Sequence, residues 1–139
     1  MKLILHENTT YVVRLDKGDE LIASLIQFCE GEKIKAGYFS GIGLTQELIL
    51  SYYTIERKQY EDHEFNEKME ITGLMGNVAA QRYETIVHCH GTFGDSRMNV
   101  IGGHVKKLVV GATCEIIFHK LKGEVERAPN LETGLNLIQ

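Results

Sequence analysis

The sequence predicts an α+β domain: a mostly antiparallel sheet of about seven strands with one main helix packed on it. Three observations carry that expectation. Only one segment, "KGDELIASLIQFCEGEKI" (17–34), sets apolar residues at helical spacing. Most of the chain beyond residue 34 falls into short runs rich in β-branched and aromatic residues, parted by turn-forming residues. Helical and strand segments do not alternate, which argues against a parallel βαβ layer.

Taken in order, "KLILHE" (2–7) alternates weakly and "TYVVRLD" (10–16) reads as a strand. In the helical segment, Leu21, Ile22, Leu25, Ile26 and Cys29 form one apolar stripe. Asp16 and Asp19 offer an N-cap or first-turn acid, and Gly31 offers the stop. "AGYFSGIG" (36–43) is a short strand entering a glycine-rich bend, and "ELILSYYTIE" (47–56) is a second strand. The acidic stretch "YEDHEFNEKME" (60–70) reads as a solvated loop. "KMEITGLMGNVA" (68–79) has strand composition, with Gly73 and Gly76 marking a bulge or a close backbone approach. Next come "TIVHCHGTF" (85–93), the turn "GDSR", the return "MNVIGG" and the long apolar "KLVVGATCEIIFHKL" (107–121). "KGEVERAPN" (122–130) is a charged turn, and "GLNLI" (134–138) is a last edge strand.

One helix cannot cover both faces of such a sheet. The other face is solvated, folded over, or buried by another copy of the chain. "LVVGATCEIIF" and "ELILSYY" carry apolar residues on both faces, which favours burial by a partner and predicts an oligomer.

Length and composition fit a single domain over 1–139 that buries a core without disulfides. At 43% hydrophobic and 24% charged residues the chain is an ordinary globular one, which argues against disorder. Three widely spaced cysteines fit no disulfide framework. The N-terminus has too short an apolar patch for a signal peptide, and no run reaches membrane-spanning length. The expected setting is cytoplasmic, with no membrane partner. The formal net charge of −4 leaves the chain without the basic footprint of a DNA-gripping domain. No P-loop, GxSxG, HExxH or full dinucleotide fingerprint occurs.

The chemistry-bearing residues are histidines. Along a strand, positions i and i+2 share a face, so His88 and His90 project together and Cys89 projects oppositely. The turn "GDSR" folds the next segment back and delivers His104 beside them. Gly102 and Gly103 permit positive φ and a close backbone approach. Three neutral imidazoles suit Zn²⁺, and also Fe, Ni or Cu. The alternative reading is a pair of hydrogen-bonded histidines at a subunit interface. His6, His63 and His119 lack such partners and read as surface or ordinary core residues. Cys89 and Cys114 read as small core residues without a general base at useful spacing. Glu70 and Glu115 lie in strand-like segments; each faces solvent, pairs with Arg82 or Arg97, or supports a histidine ring. No catalytic residue is assigned.

These blocks resemble a known family, the plants-and-prokaryotes-conserved (PPC) domain. The likeness runs from "YVVRLDKGDELIASLIQFCEGEKIKAGYFSGIG" through "MEITGLMGN", "HCHGTFGD" and "GGHV" to "TCEIIF" and "LETGLNLI". The combination of HxH, a short turn and GGH is its most specific part. The resemblance implies an α+β sheet with one main helix, a homotrimer, and a three-histidine metal site. That site maps onto His88, His90 and His104, with zinc as the expected divalent ion. It gives Glu70, Gly76 and Asn77 a packing or interface role. The family also carries a predicted DNA-binding label. DNA contact in its plant members rests on an Arg-Gly-Arg hook that this chain lacks. The expected function is therefore a trimeric metal-binding regulatory or assembly module, open to a small ligand and at most weakly to DNA. The alternative is a metal-dependent enzyme using the three-histidine site, with Glu115 or Asp95 as general base.

Overall fold

The computed structural model describes Met1–Gln139. Its elements are β1 (Lys2–Glu7), β2 (Thr10–Asp16), α1 (Leu21–Gly31), β3 (Gly37–Thr54) and β4 (Gln59–Phe65). Beyond them lie β5 (Met69–Gln81), β6 (Glu84–Gly94), β7 (Val100–Lys120), β8 (Arg127–Pro129) and β9 (Asn136–Ile138). Seven strands form one antiparallel sheet in the order β1-β2-β7-β6-β5-β3-β4. Fold class and strand number agree with the sequence reading, but the membership of the sheet differs. "AGYFSGIG" and "ELILSYYTIE" merge into β3, and "MNVIGG" runs on into β7. The acidic stretch is no loop: residues 59–65 form β4. A polar strand is stable there because it lies at a sheet edge and pairs on one side only, with β3. The C-terminal segment misses the main sheet and pairs with β8 in a two-stranded ribbon.

A further pairing, β7 with β3, closes β3, β5, β6 and β7 into a ring. Of the ways to cover a second sheet face, this one folds the sheet over itself. Both strands are long enough to serve two neighbours along each edge. β7 pairs with β6 through residues 100–104 and with β2 through residues 113–119, while its other edge runs along β3. The enclosed face carries Phe39, Leu74, Cys89, Phe93, Ile116 and Phe118, all in the buried core. Burial pushes the Cys29, Cys89 and Cys114 thiols up to about 12, which fits packing residues rather than nucleophiles.

The helix packs Leu21, Leu25, Phe28 and Cys29 into that core. Phe28 meets Phe118 and Tyr11 edge-on, at centroid distances of 5.7 and 5.3 Å. Its N-cap is Glu20 rather than Asp16 or Asp19. The Glu20 carboxylate accepts from the Ile22 and Ala23 amides at 3.2 and 2.7 Å. Asp19 instead accepts from the N-terminal amine and from the Asp16 amide. No helix is long and apolar enough to cross a membrane.

Candidate metal centre

β6 places His88 and His90 on the outer side of the ring, with Cys89 fully buried between them on the inner side. The turn after β6 is fastened by Asp95, whose carboxylate accepts from the Arg97 and Asn99 amides at 2.7 and 2.9 Å. The return strand then pairs in a register that sets His104 directly opposite His90. Gly102 permits the close approach: a Cβ there would lie 2.9 Å from the Gly91 carbonyl oxygen. The expected positive φ at Gly102 and Gly103 is absent, because both stay in extended strand.

The three rings form a nearly equilateral triangle, with centroids 5.1, 5.2 and 5.3 Å apart. Their donor nitrogens all lie within 4.8 Å of one another. Nε2 of His88 and Nε2 of His90 are 3.2 Å apart. Two nitrogens bound at about 2.0–2.1 Å to one tetrahedral zinc stand about 3.3 Å apart, so this pair has the span of two ligands on one ion. Nδ1 of His104 is buried without a hydrogen-bond partner. An orphaned imidazole nitrogen inside a cluster of imidazoles fits a site made for a cation. Burial, then Arg127 and the neighbouring rings, holds the His88 imidazole down at about 4. Burial and the His90 ring likewise lower His104. Both rings are therefore neutral near pH 7, the state in which imidazole is a ligand.

Further residues converge on the triad that the sequence reading did not place there. Arg127, read as part of a charged turn, sits on β8, and its Nη2 lies 3.2 Å from Nδ1 of His88. The same nitrogen donates to Oδ1 of Asn77 at 2.8 Å, and Nη1 donates to the Asn136 carbonyl at 3.0 Å. Asn77 thus has a polar role at the site beyond the packing role expected of it. Asparagine is depleted in strand interiors, so an Asn inside "MGNVA" was the one local signal available. Tyr60 of β4 lies against His104 with a centroid distance of 5.0 Å, and Tyr53 packs on Tyr60 at 4.8 Å. Arg127, Tyr53, Tyr60, His88 and His104 line a cavity of about 410 Å³.

The carboxylates expected near the histidines lie elsewhere. Glu70 and Glu115 are exposed and line a separate depression with Ile42 and Thr72. Asp95 is committed to its turn. Neither reading of Glu115 or Asp95 as general base survives this placement. His6 stacks on Tyr11 at 4.0 Å, and His119 stacks on Tyr38 and bonds Thr10, so both are packing residues.

The sequence family described as the Plants and Prokaryotes Conserved (PCC) domain matches residues 5–122. Among solved structures, a metal-containing protein from Archaeoglobus fulgidus is 34% identical over 99% of this chain and 98% of its own, with a TM-score of 0.88. A plant- and prokaryote-conserved protein from Pyrococcus horikoshii is 32% identical, over 95% of this chain and 92% of its own, with a TM-score of 0.90. A protein from Bacteroides thetaiotaomicron, provisionally named as DNA-binding, is 28% identical over 97% of this chain and 94% of its own, with a TM-score of 0.94. No curated protein matches the chain in sequence.

Proposed function

The chain belongs to the Plants and Prokaryotes Conserved domain family, and we propose that it works as a trimeric, metal-bearing regulatory or assembly module. His88, His90 and His104 hold one divalent ion, zinc first among the candidates. The observation that carries this reading is the 3.2 Å separation of the His88 and His90 Nε2 atoms, with the third ring completing the triangle. The metal content of the Archaeoglobus relative supports it. A bound zinc ion supplies a Lewis acid with an open position for water. With Nε2 of His88 on an ion, Nδ1 would carry the ring proton, so the contact that Arg127 makes with it would have to open.

Self-association is supported by the outer side of the ring. Tyr38, Ile42, Met75 and Ile117 are 52, 59, 67 and 48% exposed there, and Met75 pairs in register with His90. Exposed apolar residues gathered on one face mark a contact surface. Elemental analysis of untagged protein tests the site, with one ion per chain expected. Native mass spectrometry tests the assembly, with three chains expected. Less than a tenth of an ion per chain, or a monomer at micromolar concentration, removes the corresponding half of the proposal.

The cavity beside the triad favours a second reading, a metal-dependent enzyme. That reading needs a proton acceptor other than Glu115 or Asp95. A hydrolase screen showing turnover that disappears in His90→Ala would move the assignment to this class. Direct DNA binding draws support from the Bacteroides relative's name and none from charge. Fifteen Lys and Arg stand against nineteen Asp and Glu. Few phosphate contacts then give weak, salt-sensitive affinity, which a low-salt gel-shift titration reads.

A further inference from the structure

Arg127 is a half-buried cation with no counter-ion. Its three hydrogen-bonding contacts are neutral: the Asn136 carbonyl, the Asn77 amide oxygen and the His88 ring. Its Nε is buried and has no partner. A partly buried guanidinium is normally paired with an anion.

The rest of the cavity has the same sign. Lys58 lines it and donates only to the Leu131 carbonyl, at 2.6 Å. None of the 13 lining residues is Asp or Glu, in a chain with 19 acids. Tyr53, Tyr60, Leu135 and Leu137 supply an apolar wall. The volume of about 410 Å³ suits a small molecule rather than a bare ion.

We infer that this cavity binds a small organic monocarboxylate, its carboxylate on Arg127 and Lys58 and its apolar body against the two tyrosines and two leucines. The planar fork of a guanidinium matches a carboxylate, and the apolar wall selects against inorganic phosphate. The ligand lies beside the proposed ion, so the inference rests on the metal reading only for the expectation that zinc tightens binding. His88 supplies one reason for that coupling. A guanidinium only donates, so its contact with Nδ1 requires that nitrogen to accept. When Nε2 of His88 holds a cation, Nδ1 is protonated, and Nη2 is released toward the cavity.

The test is calorimetric titration of the untagged full chain with phenylacetate, butyrate and inorganic phosphate, in zinc-loaded and chelator-stripped forms. Phenylacetate is expected to bind once per chain, more tightly than phosphate, and more tightly with zinc. Arg127→Gln is expected to weaken it roughly tenfold or more, the loss of a charge-assisted hydrogen bond. Lys58→Gln, at an exposed position that does not threaten folding, is expected to weaken it about threefold. Absence of carboxylate binding in both forms overturns the inference, as does affinity unmoved by both variants. Phosphate binding as tightly as phenylacetate overturns the assignment to carboxylates. A chain that takes up zinc but no carboxylate sinks this inference and leaves the metal reading standing. A chain that takes up carboxylate through Arg127 but no zinc does the reverse.

Discussion

The cavity beside His88 and His104 and the depression around Ile42 and Thr72 open on the outer side of the same sheet, yet they sort the chain's charges in opposite ways. The first holds Arg127 and Lys58 and no acid. The second holds Glu70 and Glu115 and no cation. A cation at the triad would therefore be held by imidazoles with an arginine, rather than Glu70 or Glu115, beside them. Such a centre, once loaded, would keep a positive charge and attract an anion. The acidic depression lacks a third ligand of metal-binding type, so its two acids are ordinary solvent-facing strand residues. The difference teaches that titratable residues at strand positions form a site only when register and chain closure bring several of them to one point.

The comparison breaks most sharply at the histidines. His90→Ala is expected to take the ion content from one per chain to below detection. Because His90 is exposed, stability of the ion-free protein changes by no more than about 0.5 kcal/mol. Elemental analysis paired with urea denaturation reads both. Retention of a full ion by this variant would falsify the three-ligand site.

Gly76→Ala is expected to have the next largest effect. A Cβ at that position runs into the His88 carbonyl oxygen and meets the Phe39 ring at 2.5 Å. Forcing it in costs about 1–3 kcal/mol and displaces the strand that carries two of the triad's histidines. A lower denaturation midpoint together with weaker ion binding is the expected pair of results. An unchanged midpoint would mean that β5 and β6 leave room for a methyl group between them.

Asn77→Ala removes the acceptor that holds Arg127 and the ring it touches. Loss of about 1 kcal/mol and a roughly tenfold fall in metal affinity are expected, measured by chelator competition. Unaltered affinity would separate Arg127 and Asn77 from the centre. The smallest effect belongs to the other depression. Glu115→Gln and Glu70→Gln should shift stability by under about 0.5 kcal/mol and leave ion binding as it was. Metal loss in either variant would erase the distinction between the two regions.

Much of this site is legible in the sequence because its contacts are local. The pairing of His88 with His90 comes from the two-residue period of any strand. The arrival of His104 needs only a four-residue turn and a short return strand. The inner position of Cys89 is the same period read on the other face. The roles of Asn77 and Arg127 are not legible in this way. The stretch that holds Arg127 looks like an ordinary charged turn, and its partner residues stand 39 and 50 positions away. The acidic stretch at 60–70 reads as a loop because an edge strand has no buried face to impose alternation on its sequence.

By itself, the sequence determined the fold class, the one helix, and the face shared by two histidines. Each depends on backbone preferences and side-chain periods that act over a few residues. Only the tertiary structure decided that β3 closes on β7, and that the C-terminal ribbon carries a guanidinium to the ring of His88. The same closure left Glu70, Glu115 and Asp95 away from the triad, while the edge strand β4 brought Asp62 within electrostatic reach of His104. Those outcomes depend on which distant strands pair and in what register. That choice is made by burying the whole apolar core at once, and no short window of residues contains it.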